Sequence, residues 1–383
     1  MADLFKDPRL PDYYSEHDWR SVQSDDDARD RVINGFLNEE LCVVHGLDLN
    51  GLDFDFLGHI DMPQTWEMKK FTFQPLLDEV DRRGLNGSLG ESILRGSFAG
   101  DRKRMKHFVE QLRVMKRIAD TVSGRLLQGF NVEHTAYISR FSETRMENLH
   151  FDLDASSDDH EAFRLYINLD KATRFWATSY QCTQLVETGG QRLVHDLDDG
   201  LPAETILKRV TTRAFGGWNQ RATERAAPRH LAFFDPGDVW MIDGRSISHQ
   251  VLTGHRVLTI YARLPHKTNP RLQPTFASKL RSSLQKARQV PLGAETAQVS
   301  YYTPDQITAD GNLKADWAKV FGDTKTGRIR RFEDSGLIAE SNAGSTAVPP
   351  VPALAPAPSS SRRTTRLRPR AWVRAALNAM QRE

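Results

Sequence analysis

Residues Tyr137–Asp154 read YISRFSETRMENLHFDLD, a strand-like segment that ends in a His-x-Asp pair, His150 and Asp152. Side chains two apart on an extended strand share a face, so the His150 imidazole and the Asp152 carboxylate can converge on one cation while Phe151 points away. A third ligand is offered by His249, within FDPGDVWMIDGRSISHQVLTGHRVLTIYARL (residues 234–264). There an apolar run, Val239 to Ile242, leads to the histidine. After a turn at Gly254 a second apolar run opens with Arg256.

Two histidines and one carboxylate with open positions opposite them suit non-haem Fe(II) doing oxygen chemistry. In order and context these residues resemble the iron(II)/2-oxoglutarate-dependent oxygenases. In that family the first histidine and the carboxylate come as H-x-D, and the second histidine lies on a later strand. A basic residue at the start of the following strand pairs with the far carboxylate of 2-oxoglutarate. His150, Asp152, His249 and Arg256 match the four roles in that order, and PGDVWMIDGRSISHQV followed by GHRVLTIYARL is similar to the family's approach to its distal histidine and co-substrate arginine. Only six residues separate His249 from Arg256, fewer than in many members, and Arg263 is the runner-up. The likeness spans roughly residues 130 to 265, with a weaker echo in DRVINGFLNEELCVVHGL (residues 30–47).

The resemblance implies Fe(II) as cofactor, 2-oxoglutarate and O2 as co-substrates, and succinate and CO2 as co-products. Members that halogenate carry a small residue in place of the carboxylate, so Asp152 implies hydroxylation or a related oxidation. The short phrase RLYINLD, with RFW downstream, resembles the branch that hydroxylates Kdo, the acidic sugar of lipopolysaccharide. Arg164, Arg174 and Trp176 of this region would then line the barrel mouth and receive an acidic substrate, the plain alternative being surface arginines. Two other readings keep the same ligands: a cupin-like barrel without oxygenase activity, and a non-catalytic metal-binding module.

Around the ligands the chain offers strand-like segments at His134–Phe141, Phe163–Leu169, Phe175–Ser179, Leu231–Phe234, Val239–Ile242 and Val257–Leu264. Strands in succession without alternating helices argue for antiparallel sheets, stacked or closed. The expected fold is mainly β with flanking helices: a double-stranded β-helix, a jelly-roll or cupin-like barrel. Residues 1–130 would pack helices and strands on this core of residues 131–265. Apolar positions Val32, Ile33, Phe36 and Leu37 predict a helix before a strand at Leu41–Val44, and Phe108, Leu112, Met115, Ile118, Val122 and Leu126 predict an amphipathic helix over 102–127. An insertion at about 181–230, with a helix in LPAETILKRVTTRAF set off by Pro202, is expected to act as a lid. Residues 266–340 would be a helical extension, 341–361 a Pro/Ala/Ser linker and 362–383 a basic amphipathic tail.

The 383 residues are 39% hydrophobic, enough for a packed core, and nothing approaches a membrane span or a signal peptide. A cytoplasmic protein is expected, and two cysteines, Cys42 and Cys182, suit packing better than a disulfide framework. The net charge of +2 is uneven: after residue 345 seven arginines face one glutamate, which leaves 45 basic against 49 acidic residues elsewhere. A mildly acidic body argues against nucleic acid as partner, and the basic tail suits an anionic membrane surface or a protein partner. The expected substrate is therefore a small or lipid-linked molecule.

Overall fold

The structure, a computed structural model, describes residues 6–60, 62, 70–141, 144–145, 149–153, 158–215 and 227–294. The expected linker, the basic tail and the extension beyond residue 294 lie outside these residues. Strands run in chain order β1 (Tyr14–Asp18), β2 (Leu41–His45), β3 (Phe71–Thr72), β4 (His134–Arg140), β5 (Thr144–Arg145), β6 (His160–Asn168), β7 (Arg174–Gln181), β8 (His230–Phe234), β9 (Val239–Met241), β10 (Ile247–Gly254) and β11 (Val257–Pro265). They form a seven-stranded sheet ordered β1-β2-β9-β6-β11-β4-β3 and a four-stranded sheet ordered β5-β10-β7-β8. The pairings are antiparallel except β1 with β2.

From β4 onward the chain passes back and forth between the sheets, β4, β6, β9 and β11 going to the larger and β5, β7, β8 and β10 to the smaller. Strand pairing among the described residues gives these two sheets, and closure into a barrel is not seen among them. They meet through aromatic side chains: Trp240 of β9 stacks on Phe234 of β8 with ring centroids 4.0 Å apart, and Tyr166 of β6 meets Trp176 of β7 at 5.2 Å.

Alternation along the strands gives the larger sheet two different faces. Phe163, Leu165 and Ile167 of β6 and Leu258, Ile260, Ala262 and Leu264 of β11 share one apolar cluster with the helix Arg102–Leu126. That helix starts where the Asp101 carboxylate accepts the N–H groups of Lys103 and Arg104. It buries Phe108, Leu112, Met115, Ile118 and Val122 along the spacing expected from the sequence, each worth about 1.5–3 kcal/mol when fully buried. The other face carries Val257, Tyr166 and Trp240 toward the smaller sheet, in a second cluster with Trp176 and Phe234.

The 181–230 insertion supplies helices Cys182–Val194 and Ala203–Phe215, which share the second cluster with the helix Phe276–Ala287 and with Leu149 and Phe151. Pro202 opens the second of these helices as expected, its carbonyl accepting the N–H groups of Thr205 and Ile206. The sequence does not announce the first, since Gly189 and Gly190 interrupt it and Gly190 sits at φ 56°. Cys42 and Cys182 are free and buried, as packing residues. No helix among the described residues is long and apolar enough to cross a membrane.

Candidate metal centre

His150 lies in the segment 149–153, which runs alongside the start of β10 and is joined to it by a single antiparallel bridge. The N–H of His150 donates to the His249 carbonyl at 3.1 Å, and the N–H of His249 donates back at 2.9 Å. Asp152 continues the run by donating its N–H to the Gly244 carbonyl at 2.7 Å. The intervening and preceding residues, Phe151 and Leu149, are fully buried among the insertion helices. Alternation therefore sends His150 and Asp152 to the opposite side, where His249 stands.

The three side chains offer ligand atoms within 4.8 Å of one another. Nε2 of His150 lies 3.8 Å from Oδ1 of Asp152, and Nε2 of His249 lies 3.8 Å from Oδ2. Two donors each about 2.0–2.2 Å from one first-row ion stand roughly 3–4 Å apart, so the spacing fits a shared cation. A carbonyl can only accept, so the 3.1 Å contact from His249 Nδ1 to the Ile247 carbonyl puts the proton on Nδ1 and leaves the Nε2 lone pair for a metal. Trp176 lies flat on the His249 ring, 5.3 Å between centroids and 14° between planes, and fixes its tilt. At Gly244 an added Cβ would stand 2.1 Å from Asp152 Oδ2 and 2.9 Å from His249 Cε1, so this cradle admits the carboxylate only because the residue is glycine.

Arg164 of β6 forms an ion pair with Asp152 Oδ2, and its guanidinium lies 5.9 Å from the Tyr261 ring centroid. Burial pushes the Asp152 carboxyl up, but the charge and hydrogen bond of the Arg164 guanidinium oppose it, and the group is held well below the usual carboxylate range. Asp152 is thus an anion at neutral pH. Burial and the neighbouring Asp152 charge push the Tyr166 phenol up to about 12, so its hydroxyl keeps its proton beside Arg164.

The sequence-derived site residues divide. His150, Asp152 and His249 come together, and Arg164 and Trp176 join them. Arg174 is buried at the far end of β7, donates to the His255 carbonyl at 3.0 Å, and occupies the space over Gly254, where a Cβ would meet its Cγ at 2.5 Å. Arg256, the expected co-substrate arginine, is engaged with other partners. It precedes Val257, so it falls on the helix side of β11 with Leu258. There its guanidinium is held by Asp170 at 2.8 Å and by the Leu57 and Gly58 carbonyls at 2.8 and 2.9 Å. Arg263 shares the inner face with Tyr261 but turns to His160 at 3.2 Å and to Glu133, at the end of the sheet. Three contributors escaped the sequence reading: Gly244, Tyr166 and Arg140. Tyr166 had a signal, since it follows Arg164 by two on one strand; Arg140 had none, since only the register sets it opposite the inward residue Val257.

The chain matches no protein-family model and no curated protein. Among solved structures it is similar to the Kdo hydroxylase KdoO, a non-heme Fe(II) alphaketoglutarate dependent dioxygenase. With the cobalt(II) complex of that protein the identity is 15% and the TM-score 0.46, over 71% of this chain and 96% of the other. With its complex of alphaketoglutarate and Fe(III) the values are 14% and 0.45, over 71% and 96%. A prolyl hydroxylase from Trichoplax adhaerens, in complex with a hypoxia inducible factor peptide fragment, is similar at 10% identity and a TM-score of 0.25, over 66% of this chain and 94% of the other. At such values the likeness is one of outline.

Proposed function

We propose that this chain is an Fe(II)- and 2-oxoglutarate-dependent dioxygenase that hydroxylates a small, acidic substrate, and that its sheets form the double-stranded β-helix expected from the sequence. The observation that carries this is the convergence of His150, Asp152 and His249 within 4.8 Å, two imidazoles and one carboxylate on one side of a chain segment. Fe(II) held by these three residues would supply O2 activation at the positions they leave open.

The protein's own residues do the remaining work. Asp152 contributes the negative charge that matches a divalent cation, and the Ile247 carbonyl keeps His249 in the ligating tautomer. Arg140 and Arg164 stand on the inner face with Tyr166. A guanidinium presents a planar fork that pairs with a carboxylate through two hydrogen bonds. One of the two would take the far carboxylate of 2-oxoglutarate, the role Arg256 does not reach, and the other an acidic group of the substrate. Trp176, Trp240 and Phe234 line the space between the sheets and keep water from it. An acidic substrate carried on a lipid would meet the enzyme through the basic tail, which is drawn to an anionic surface.

The test is succinate release by the full chain supplied with Fe(II) and 2-oxoglutarate, alone and with a panel of acidic sugars. Release that depends on 2-oxoglutarate, rises with one acidic sugar and disappears in His249→Ala is the expected result. In Arg140→Ala or Arg164→Ala the loss of a charge-assisted pair, worth about 1.5–3 kcal/mol, should raise the KM for 2-oxoglutarate or for the substrate about 10- to 150-fold. A protein that binds metal at full occupancy yet forms no succinate is instead a metal-binding module.

A further inference from the structure

The turn leading into β10 is built around a buried arginine. Arg245 is 1% exposed, and its Nε and Nη2 donate to the two carboxylate oxygens of Asp243 at 2.9 and 3.1 Å. On its other side it forms an ion pair with Glu161 of β6, and its plane lies over the Phe276 ring, 4.9 Å from the centroid. The Asp243 carboxylate also accepts the Arg245 N–H at 3.0 Å and the Ser246 hydroxyl at 2.8 Å, while the Asp243 carbonyl accepts the N–H groups of Ser246 and Ile247 at 2.9 and 3.0 Å. Residues 243–247 are thereby bolted to β6 and to the helix Phe276–Ala287.

The same five residues touch the metal ligands twice. The Gly244 carbonyl takes the Asp152 N–H at 2.7 Å, and the Ile247 carbonyl takes the His249 Nδ1 proton at 3.1 Å. One contact sets where the carboxylate ligand begins, and the other sets the tautomer and tilt of the imidazole ligand. If the cluster were mere packing, apolar and neutral replacements of similar volume would serve as well, since exchanging a buried ion pair for such groups is often neutral for stability. Hydrogen bonds have direction, and apolar contacts do not.

We propose that Arg245, with Asp243 and Glu161, forms a positioning cluster that fixes the 243–247 turn and so sets the affinity and coordination geometry of the His150–Asp152–His249 site. The inference rests on the metal-site reading but not on the reaction. The test uses the full chain and Co(II) as probe, whose visible absorption reports coordination geometry. Arg245→Met combined with Glu161→Gln removes one charge of each sign and keeps the volume. It is expected to melt cooperatively and to bind Co(II) about 10- to 100-fold more weakly, with a changed visible spectrum. Arg245→Lys, which keeps the charge but not the fork, should show the same loss in smaller measure, and it decides the matter where the double variant does not fold. Arg213→Met is the control: it removes a buried arginine held by the Leu193 carbonyl and Asp196, and should leave Co(II) affinity and spectrum as in the parent. Parent-like affinity and spectrum in a folded Arg245 variant would overturn the proposal, as would an equal loss in Arg213→Met. A parent chain that binds no Co(II) overturns the site itself. A parent that binds it but forms no succinate overturns only the dioxygenase reading.

Discussion

At position 244 the backbone is not in the left-handed region, so glycine is required there by space alone. The atom a methyl group would strike first is the end of the Asp152 side chain, which can swing aside without moving the backbone. Gly244→Ala should therefore fold with a thermal midpoint near the parent's. Its affinity for Co(II), measured by calorimetric titration, should fall by at least the roughly 10- to 100-fold that loss of a supporting contact costs. Unchanged affinity would show that the carboxylate is not where the ion binds. The three ligands were legible because order along the chain and the two-residue period of an extended segment are local facts. Gly244 was not, because an Asp-Gly pair announces a turn, and the demand for an empty Cβ position is made by Asp152, far away in sequence. The order of family roles that points to Arg256 says nothing of which face of β11 a residue takes, and one step along a strand turns the side chain over.

Strand β11 shows what such a turn does to a prediction about an element. With Arg256 on the helix side, its task is to tie the start of β11 to Asp170 and to the end of the helix Phe54–Gly58. Arg256→Ala leaves the Asp170 carboxylate without its partner, and breaking a largely buried pair in this way costs about 3–5 kcal/mol. Urea unfolding should show that loss while Co(II) affinity stays as in the parent. A normal stability with a raised KM for 2-oxoglutarate would return the arginine to the co-substrate. The elements with clean periods were readable from sequence, as in β6, β11 and the helix Arg102–Leu126. Strand β10 was only half readable, since Ser248, His249 and Gln250 are polar yet all buried. A strand whose two faces are both enclosed, one by the site and one by protein, loses the alternation that would reveal it. The short helices between residues 54 and 98 stayed hidden because one to three turns leave too few repeats to define a face.

Across the whole molecule, the larger sheet ends in the parallel pair β1 and β2, and His45 at the tip of β2 holds the turn before β9 through Asp238 at 2.9 Å. The hydrogen bond to Asp238 raises the imidazole pKa, partial burial opposes it, and the charges of Asp238 and Glu16 add to the rise. A histidine raised on folding contributes stability that is full below its unfolded value of about 6.5 and is lost as pH climbs through the folded one. Unfolding free energy measured from pH 6 upward should thus fall less steeply in His45→Gln than in the parent, and parallel curves would rule the contact out as a source of the slope. Stacked antiparallel sheets with flanking helices could be read from the order of strand and helix signals. The pairing of β1 with β2 could not, because an exposed edge strand such as YSEHD keeps its polar residues and has no apolar face to display. The single bridge between His150 and His249 joins stretches roughly a hundred residues apart, and the ion-binding atoms exist as a group only once that bridge has closed. An ion seated there would be a clasp. It would bind the finished fold and not the nascent chain, so metal supply would govern how long each copy of the protein survives proteolysis.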